Sequence, residues 1–346
     1  MNRLEHRYIG YYLRPYRWID KSPLDGNGNL LSAHGYTDCL WETSIEADGF
    51  DLQVKVYRDG LFKFGFKRFR DVGQIAKSKK PITINAPINH QEHRLALSHI
   101  LNVHLVLLWL AIQTSVERTL TSNYAFLKYN YSPFEMWILQ SDESEASFGY
   151  IGNPSDLDTG LVSHSATMEF IARGANLPEY VTSYAYQSFL ANRQAPDSIP
   201  LAAVEKSFAY LSDILKHDEA DRLIVLIELL SKSLTAFEER DYDWSIMISW
   251  AGIEAMLKVQ WQKFTKSLSD EKRKNHLRSK KNAADMIEIL SWANQLSLEN
   301  YNNLNRVRSC RNNWIHSLEH ASKEDAQLGM DMLLFMLRDI FNLKMN

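Results

Sequence analysis

The chain has 346 residues, 45% hydrophobic, 23% charged and 12% aromatic, with a formal net charge of −3. That balance excludes a disordered tail, a collagen-like chain and a disulfide scaffold, and the length exceeds one ordinary core, so two domains are expected. Residues 1–195 hold 19 Lys and Arg against 20 Asp and Glu, and the remainder 20 against 22. Neither half is globally basic, so contact with nucleic acid has to come from a local patch.

The first 85 residues read mainly as β. Residues 51–57 alternate Leu52, Val54 and Val56 with polar positions, and residues 61–67 alternate Phe62, Phe64 and Phe66. Arg58-Asp59-Gly60 between them makes a hairpin. Residues 8–13 and 35–44 supply further strands, and 77–80, before Pro81, form a loop. From 91 to 118 the spacing turns helical, with Leu97, Leu101, Leu105, Leu108 and Ile112 in register. The acidic stretch 141–160 reads as a surface loop, and helices are expected near 166–174 and 179–192. Residues 192–200, polar with Pro196 and Pro200, are the best linker. Beyond them no proline occurs and no glycine before Gly252. The spacing predicts helices over 201–215, 219–240, 243–264, 283–295, 298–318 and 323–343. The expected architecture is an α+β domain over 1–195 followed by an all-α bundle over 196–346.

Cys39 and Cys310 are the only cysteines, too few for a disulfide framework. Residues 1–20 carry Arg3, Glu5, Arg7, Arg14 and Arg17 without the apolar stretch of a secretory signal. The most apolar run, 105–112, is shorter than the roughly 18 residues of a membrane span. A cytoplasmic protein with no membrane partner is expected. The histidine pair of His90-Gln91-Glu92-His93 has no third ligand at a metal-binding spacing. No Gly-rich phosphate loop or nucleophile elbow is present, so no metal and no cofactor is expected.

Arg311 and His316 are the candidate chemistry. An imidazole with an unperturbed pKa of about 6.5 exchanges protons at neutral pH, and a guanidinium fork suits phosphate oxygens. With 19 arginines and 11 histidines, an Arg followed by His after four to six residues is expected about twice by chance. It occurs at Arg311/His316 and at Arg94/His99, so the spacing alone carries no weight. Placement does. On a helix, Leu304, Val307, Cys310, Trp314 and Leu318 form the core stripe. Arg311 lies at its edge, Asn312 and His316 pair at i, i+4 on the polar flank, and Arg308 lies between. Arg94 and His99 instead sit in the most apolar helix.

The hexapeptide Arg311-Asn312-Asn313-Trp314-Ile315-His316 resembles the motif of HEPN-domain proteins. Like that motif, it is expected on a late bundle helix, before one last amphipathic helix. Residues 248–257, an apolar run around Glu254, resemble a second helix of the family, and the Apea-like HEPN branch is the nearest in organisation. The resemblance covers 201–346. It implies a metal-independent endoribonuclease, acting as a homodimer and leaving 2′,3′-cyclic phosphate ends. It makes His316 the acid–base group, Arg311 the stabiliser of phosphorane charge and Asn312 their orienting partner, with Glu254 and Arg308 in support. It also implies a toxin or antiviral (phage-defence) effector, regulated by its N-terminal domain and partnered by an antitoxin or trigger ligand. The rival reading is a HEPN-like dimerisation module without activity. Residues 263–281 carry eight basic residues against Asp270 and Glu271. Within them Lys272, Arg273, Lys274, Arg278, Lys280 and Lys281 are candidate contacts to RNA, and the charge suggests a tRNA or other structured RNA as substrate.

Overall fold

The structure, a computed structural model, describes residues 7–12, 19–20, 39–57, 61–69, 82–83, 90–115, 137–142, 145–149, 162–163, 199–280 and 282–343. The chain divides into two compact units, Met1–Asp221 and Arg222–Asn346.

The first unit is α+β. Its strands are β1 (Arg7–Tyr12), β2 (Cys39–Ala47), β3 (Phe50–Tyr57), β4 (Leu61–Phe69), β5 (Ile82–Thr83), β6 (Trp137–Asp142), β7 (Glu145–Gly149) and β8 (Val162–Ser163). They form one sheet in the order β2-β3-β4-β1-β6-β7-β8, with β5 on β4, and every pairing is antiparallel. The alternation seen in the sequence sets the register. Leu52, Val54 and Val56 lie opposite Phe66, Phe64 and Phe62. Leu52, Val54, Val56, Phe62 and Phe64 are fully buried, so a one-residue slip would turn this whole set outward. Lys63, on the opposite face of β4, lies over the Tyr57 ring at 4.5 Å, its stem buried and its charge on the π-face.

Helix α1 (His90–Ser115) buries Leu101, Val103, Leu105, Val106, Leu107 and Leu108 on all sides. That is why its apolar residues run without a polar face, as expected of a core helix. It packs against α2 (Leu201–Lys216), which also touches β2. Phe208 of α2 stacks on Trp41 and on His104 at centroid distances of 5.4 and 4.0 Å.

The second unit is helical: α3 (Ala220–Glu238, whose first turn contains the division), α4 (Tyr242–Ser267), α5 (Glu271–Arg278), α6 (Ala283–Trp292), α7 (Leu298–Ser317) and α8 (Lys323–Phe341). Asp241, Asp270, Asn282, Ser297 and Ser322 cap the first turns of α4 to α8 by accepting backbone N–H groups. Helices α4 and α8 approach closely through small residues. A Cβ on Gly252 would lie 2.7 Å from Leu333 Cδ1, and one on Gly329 would lie 3.3 Å from Ser249 Cβ. Leu333 is fully buried and has little room to yield. Gly252→Val is therefore expected to lower the unfolding free energy by about 2 kcal/mol through overpacking, read as a lower urea midpoint. An unchanged midpoint would refute the close approach.

Four expectations change. The chain divides at Asp221 rather than at residue 195, because α2 packs on α1 and β2, and Ile199 bridges Ile19 with both buried. The acidic stretch from 141 opens as the β6–β7 hairpin, with Asp142 opposite Glu145. The basic stretch contains helix α5, nucleated by Asp270 at its cap and by a Lys274–Glu271 pair at 2.9 Å. Leu318 leaves the core stripe: it is the left-handed C-cap of α7 (φ 56°) and is 70% exposed. The helices expected near 166–174 and 179–192 lie outside the described residues. Among the described residues no helix is long and apolar enough to cross a membrane.

Candidate functional site

Helix α7 is an unusually polar helix. Its twenty residues include Asn300, Asn302, Asn303, Asn305, Asn312 and Asn313, all weak helix formers, and only Leu304 and Val307 are buried. Caps and cross-links make up the deficit. Ser297 caps the start, Tyr301 donates to Glu288 at 2.8 Å, and Arg306 Nε donates to Asp325 at 2.8 Å. Asn313 Nδ2 donates to Glu319 at 2.9 Å, across the left-handed turn at Leu318. A helix held by a narrow core stripe and by its ends leaves its remaining flank for other uses.

On that flank stand Arg308, Arg311, Asn312, Ile315 and His316, spaced i, i+3, i+4, i+7 and i+8. Arg311 and Asn312 are half-buried, and Arg311 Nη1 donates to Asn312 Oδ1 at 3.0 Å. This contact sets the amide carbonyl toward the guanidinium. The Nε atoms of Arg308 and Arg311 are buried without a hydrogen-bond partner among the described residues, a costly state for a charged donor. His316 is exposed in the last turn. Positive groups on the same helix flank as an imidazole suit an anionic ligand such as a phosphodiester.

The other described candidates lie on α4, on α5 and just after α5. Glu254 pairs with Lys258 of its own helix at 2.9 Å. Lys272, Arg273 and Lys274 lie on α5, where Asp270 stands 3.9 Å from Arg273 and Glu271 pairs with Lys274. Arg278 ends that helix, Lys280 follows it 3.7 Å from Asp285, and Lys281 lies outside the described residues. No three metal-ligating side chains cluster among the described residues.

Sequence reading missed a second constellation just past the C-terminal end of α7. His320 Nδ1 donates to Asp243 Oδ2 at 2.6 Å, and the ring sits against Trp314 at 5.1 Å. The carboxylate holds a proton on Nδ1 and fixes the orientation of the ring. Asp243 Oδ1 meanwhile accepts the N–H of buried Ala321 at 2.6 Å. Nothing local signals this pair, because 77 residues separate its members and Asp243 reads as an ordinary first-turn acid. Asp243→Ala strands the Ala321 donor and is expected to cost about 1–3 kcal/mol. Asp243→Asn keeps an acceptor and should recover most of that, which paired urea titrations would measure.

Cys310, one turn from Trp314, is no nucleophile. Burial, then the charges of Asp325 and Asp243, push its thiol up to about 11, so it stays protonated at neutral pH. Asp325 moves the other way. Burial alone would raise its carboxyl, but hydrogen bonds from Ser322 and Arg306 hold it below the usual range. Its contribution to stability is present above the unfolded value near 3.9 and is lost as pH falls below it.

Comparison with protein families, with characterised proteins and with solved structures finds no match to this chain.

Proposed function

We propose that the helical unit is an HEPN-like, metal-independent endoribonuclease. The carrying observation is the flank of α7, where Arg311, Asn312 and His316 stand together on a helix that spends almost none of their polar atoms on holding the fold. The chemistry follows from the groups. An imidazole takes the proton of a ribose 2′-hydroxyl, whose oxygen attacks the adjacent phosphorus. The bond to the 5′-oxygen breaks as that oxygen receives a proton, leaving a 2′,3′-cyclic phosphate and a 5′-hydroxyl. Arg311 stabilises the charge on the phosphorane oxygens, and its contact to Asn312 fixes the plane of the amide. Two proton transfers call for two imidazoles. One motif histidine per chain therefore fits the homodimer that the family resemblance implies. The sheet-containing unit would then act as sensor or regulator of a toxin or phage-defence effector.

The test is incubation of the purified protein with total RNA in excess EDTA, beside His316→Ala, with end-group analysis. Cleavage by the wild type alone, leaving cyclic phosphates, is expected. Equal cleavage by both proteins would remove His316 from the reaction.

A second reading, a non-enzymatic HEPN-like dimerisation module, is favoured by the apolar surface at the motif: Ile315 at 40% and Leu318 at 70% exposure. Such a module keeps its cellular effect when Arg311 and His316 are both alanine; the nuclease loses it.

A further inference from the structure

Away from the motif flank, helix α4 leads to a different kind of surface. Past Glu254 it carries Lys258, Trp261, Gln262, Thr265 and Lys266; the chain then turns back through α5 and α6. Lys274, Lys280 and Met286 close the other wall, enclosing a cleft of about 490 Å³. Four of its eight lining residues are lysines and none is a carboxylate. Trp261 and Met286 are buried and form an apolar floor.

Neighbouring acids do not neutralise this cleft evenly. Lys258 and Lys274 have carboxylate partners at 2.9 Å, each an exposed or half-exposed pair on its own helix, which gives only slight stabilisation in water. Lys280 stands 3.7 Å from Asp285, a loose contact. Lys266 has no carboxylate partner among the described residues. By contrast, Lys263, only three residues away, is committed to the fold: its ammonium donates to the Ile340 carbonyl at 2.8 Å, at the C-terminal end of α8, and lies over Phe341. The other flank of α5 carries a second groove of about 430 Å³, where Lys272, Arg273 and His276 stand beside Phe264, Leu268 and Leu277. Both sides of one short helix therefore present cations next to apolar or aromatic surface. A strand carrying regularly spaced phosphates and flat bases uses both, whereas a single small anion would need one closed pocket.

We propose that the cleft of Lys258, Lys266, Lys274 and Lys280 grips the phosphodiester backbone of RNA, separately from the residues that cleave it. The identity of the polymer rests on the ribonuclease reading; the anion chemistry rests on the lysines alone. The cleft adds Lys258 and Lys266 to the basic residues that the sequence singles out.

The experiment measures anisotropy of a fluorescein-labelled 20-nucleotide single-stranded RNA titrated with the full chain carrying His316→Ala, between 50 and 300 mM salt. Lys266→Glu and Lys280→Glu are each expected to weaken binding about tenfold at the lowest salt, and to flatten the plot of log K against log salt by about 0.7 for each phosphate released from the cleft. Lys216→Glu, the same charge change on α2, should leave both unchanged. Unaltered affinity and slope in the two cleft variants would overturn the proposal. So would displacement of the RNA by inorganic phosphate at matched ionic strength, which marks a small-anion pocket. The two readings fail separately. If the wild type never cleaves RNA but the cleft variants lose binding, the cleft stands and the nuclease falls. If the wild type cleaves and the cleft variants bind and cleave as it does, the cleft alone falls.

Discussion

His316→Ala is expected to reduce RNA cleavage by about 10²- to 10⁴-fold, the usual worth of a positioned general acid or base, while shifting stability by no more than about 0.5 kcal/mol. The second half of that expectation comes from the structure: the ring is exposed in the last turn of α7 and lies outside the buried stripe of Leu304 and Val307. Activity and melting temperature measured on the same preparation separate the outcomes. Loss of both would make His316 a structural residue. Arg311 is a less clean probe, because its half-buried stem also packs. Arg311→Lys keeps the charge but not the fork, so a large loss of activity in that variant would locate the requirement in bidentate geometry.

The second large effect lies in the other unit and concerns acid. His104 is fully buried among Phe62, Phe64 and Phe208. Ser207 donates its hydroxyl proton to the Val204 carbonyl at 2.6 Å, so its oxygen accepts from His104 Nε2 at 3.0 Å. The ring is therefore the neutral Nε2–H tautomer, and burial pushes its pKa down to about 3. In the unfolded chain the same group titrates near 6.5. Below that value the unfolded state binds a proton that the folded state refuses. The stabilisation is thus complete above about pH 6.5 and is lost progressively as pH falls toward 3, on the order of 1 kcal/mol per pH unit. Unfolding free energy at pH 4.5 should lie about 2–3 kcal/mol below its value at pH 7.5 from this residue alone. His104→Gln retains a donor toward Ser207 and cannot titrate, so its pH profile should be flatter over that window. An equally steep profile in the variant would place the acid sensitivity elsewhere.

Much of this architecture is legible in the sequence where one periodicity dominates. The phenylalanines of β4 and the valines of β3 define their register, and caps such as Ser297 and Ser322 mark where α7 and α8 start. Legibility fails where a decisive partner is remote. Residue 201 looks like the start of a helical domain, yet α2 belongs to the first unit because Phe208 and Ser207 meet His104. The Arg311–Asn312–His316 flank is visible locally because one helix carries all of it. The Asp243–His320 pair and the lysine cleft are not, since each is assembled from segments well apart in the chain. Helix α5 hides for another reason: its charged sequence lacks an apolar stripe, and a single capping aspartate decides it.

The glycine and serine seam between α4 and α8 restricts how this protein can change. Ser245 and Ser249 of α4 are fully buried and share hydrogen bonds with Ser233 of α3, at 2.9 and 2.7 Å between hydroxyl oxygens. Gly329 meets Ser249 from the other side. At positions 245, 249, 252 and 329 a mutational scan should therefore tolerate almost nothing larger than the serine or glycine already there, while the outward flank of α7 accepts many residues without unfolding. Selection for fold and selection for activity would then fall on different helices, so that the flank could diversify toward new substrates while the seam stays fixed.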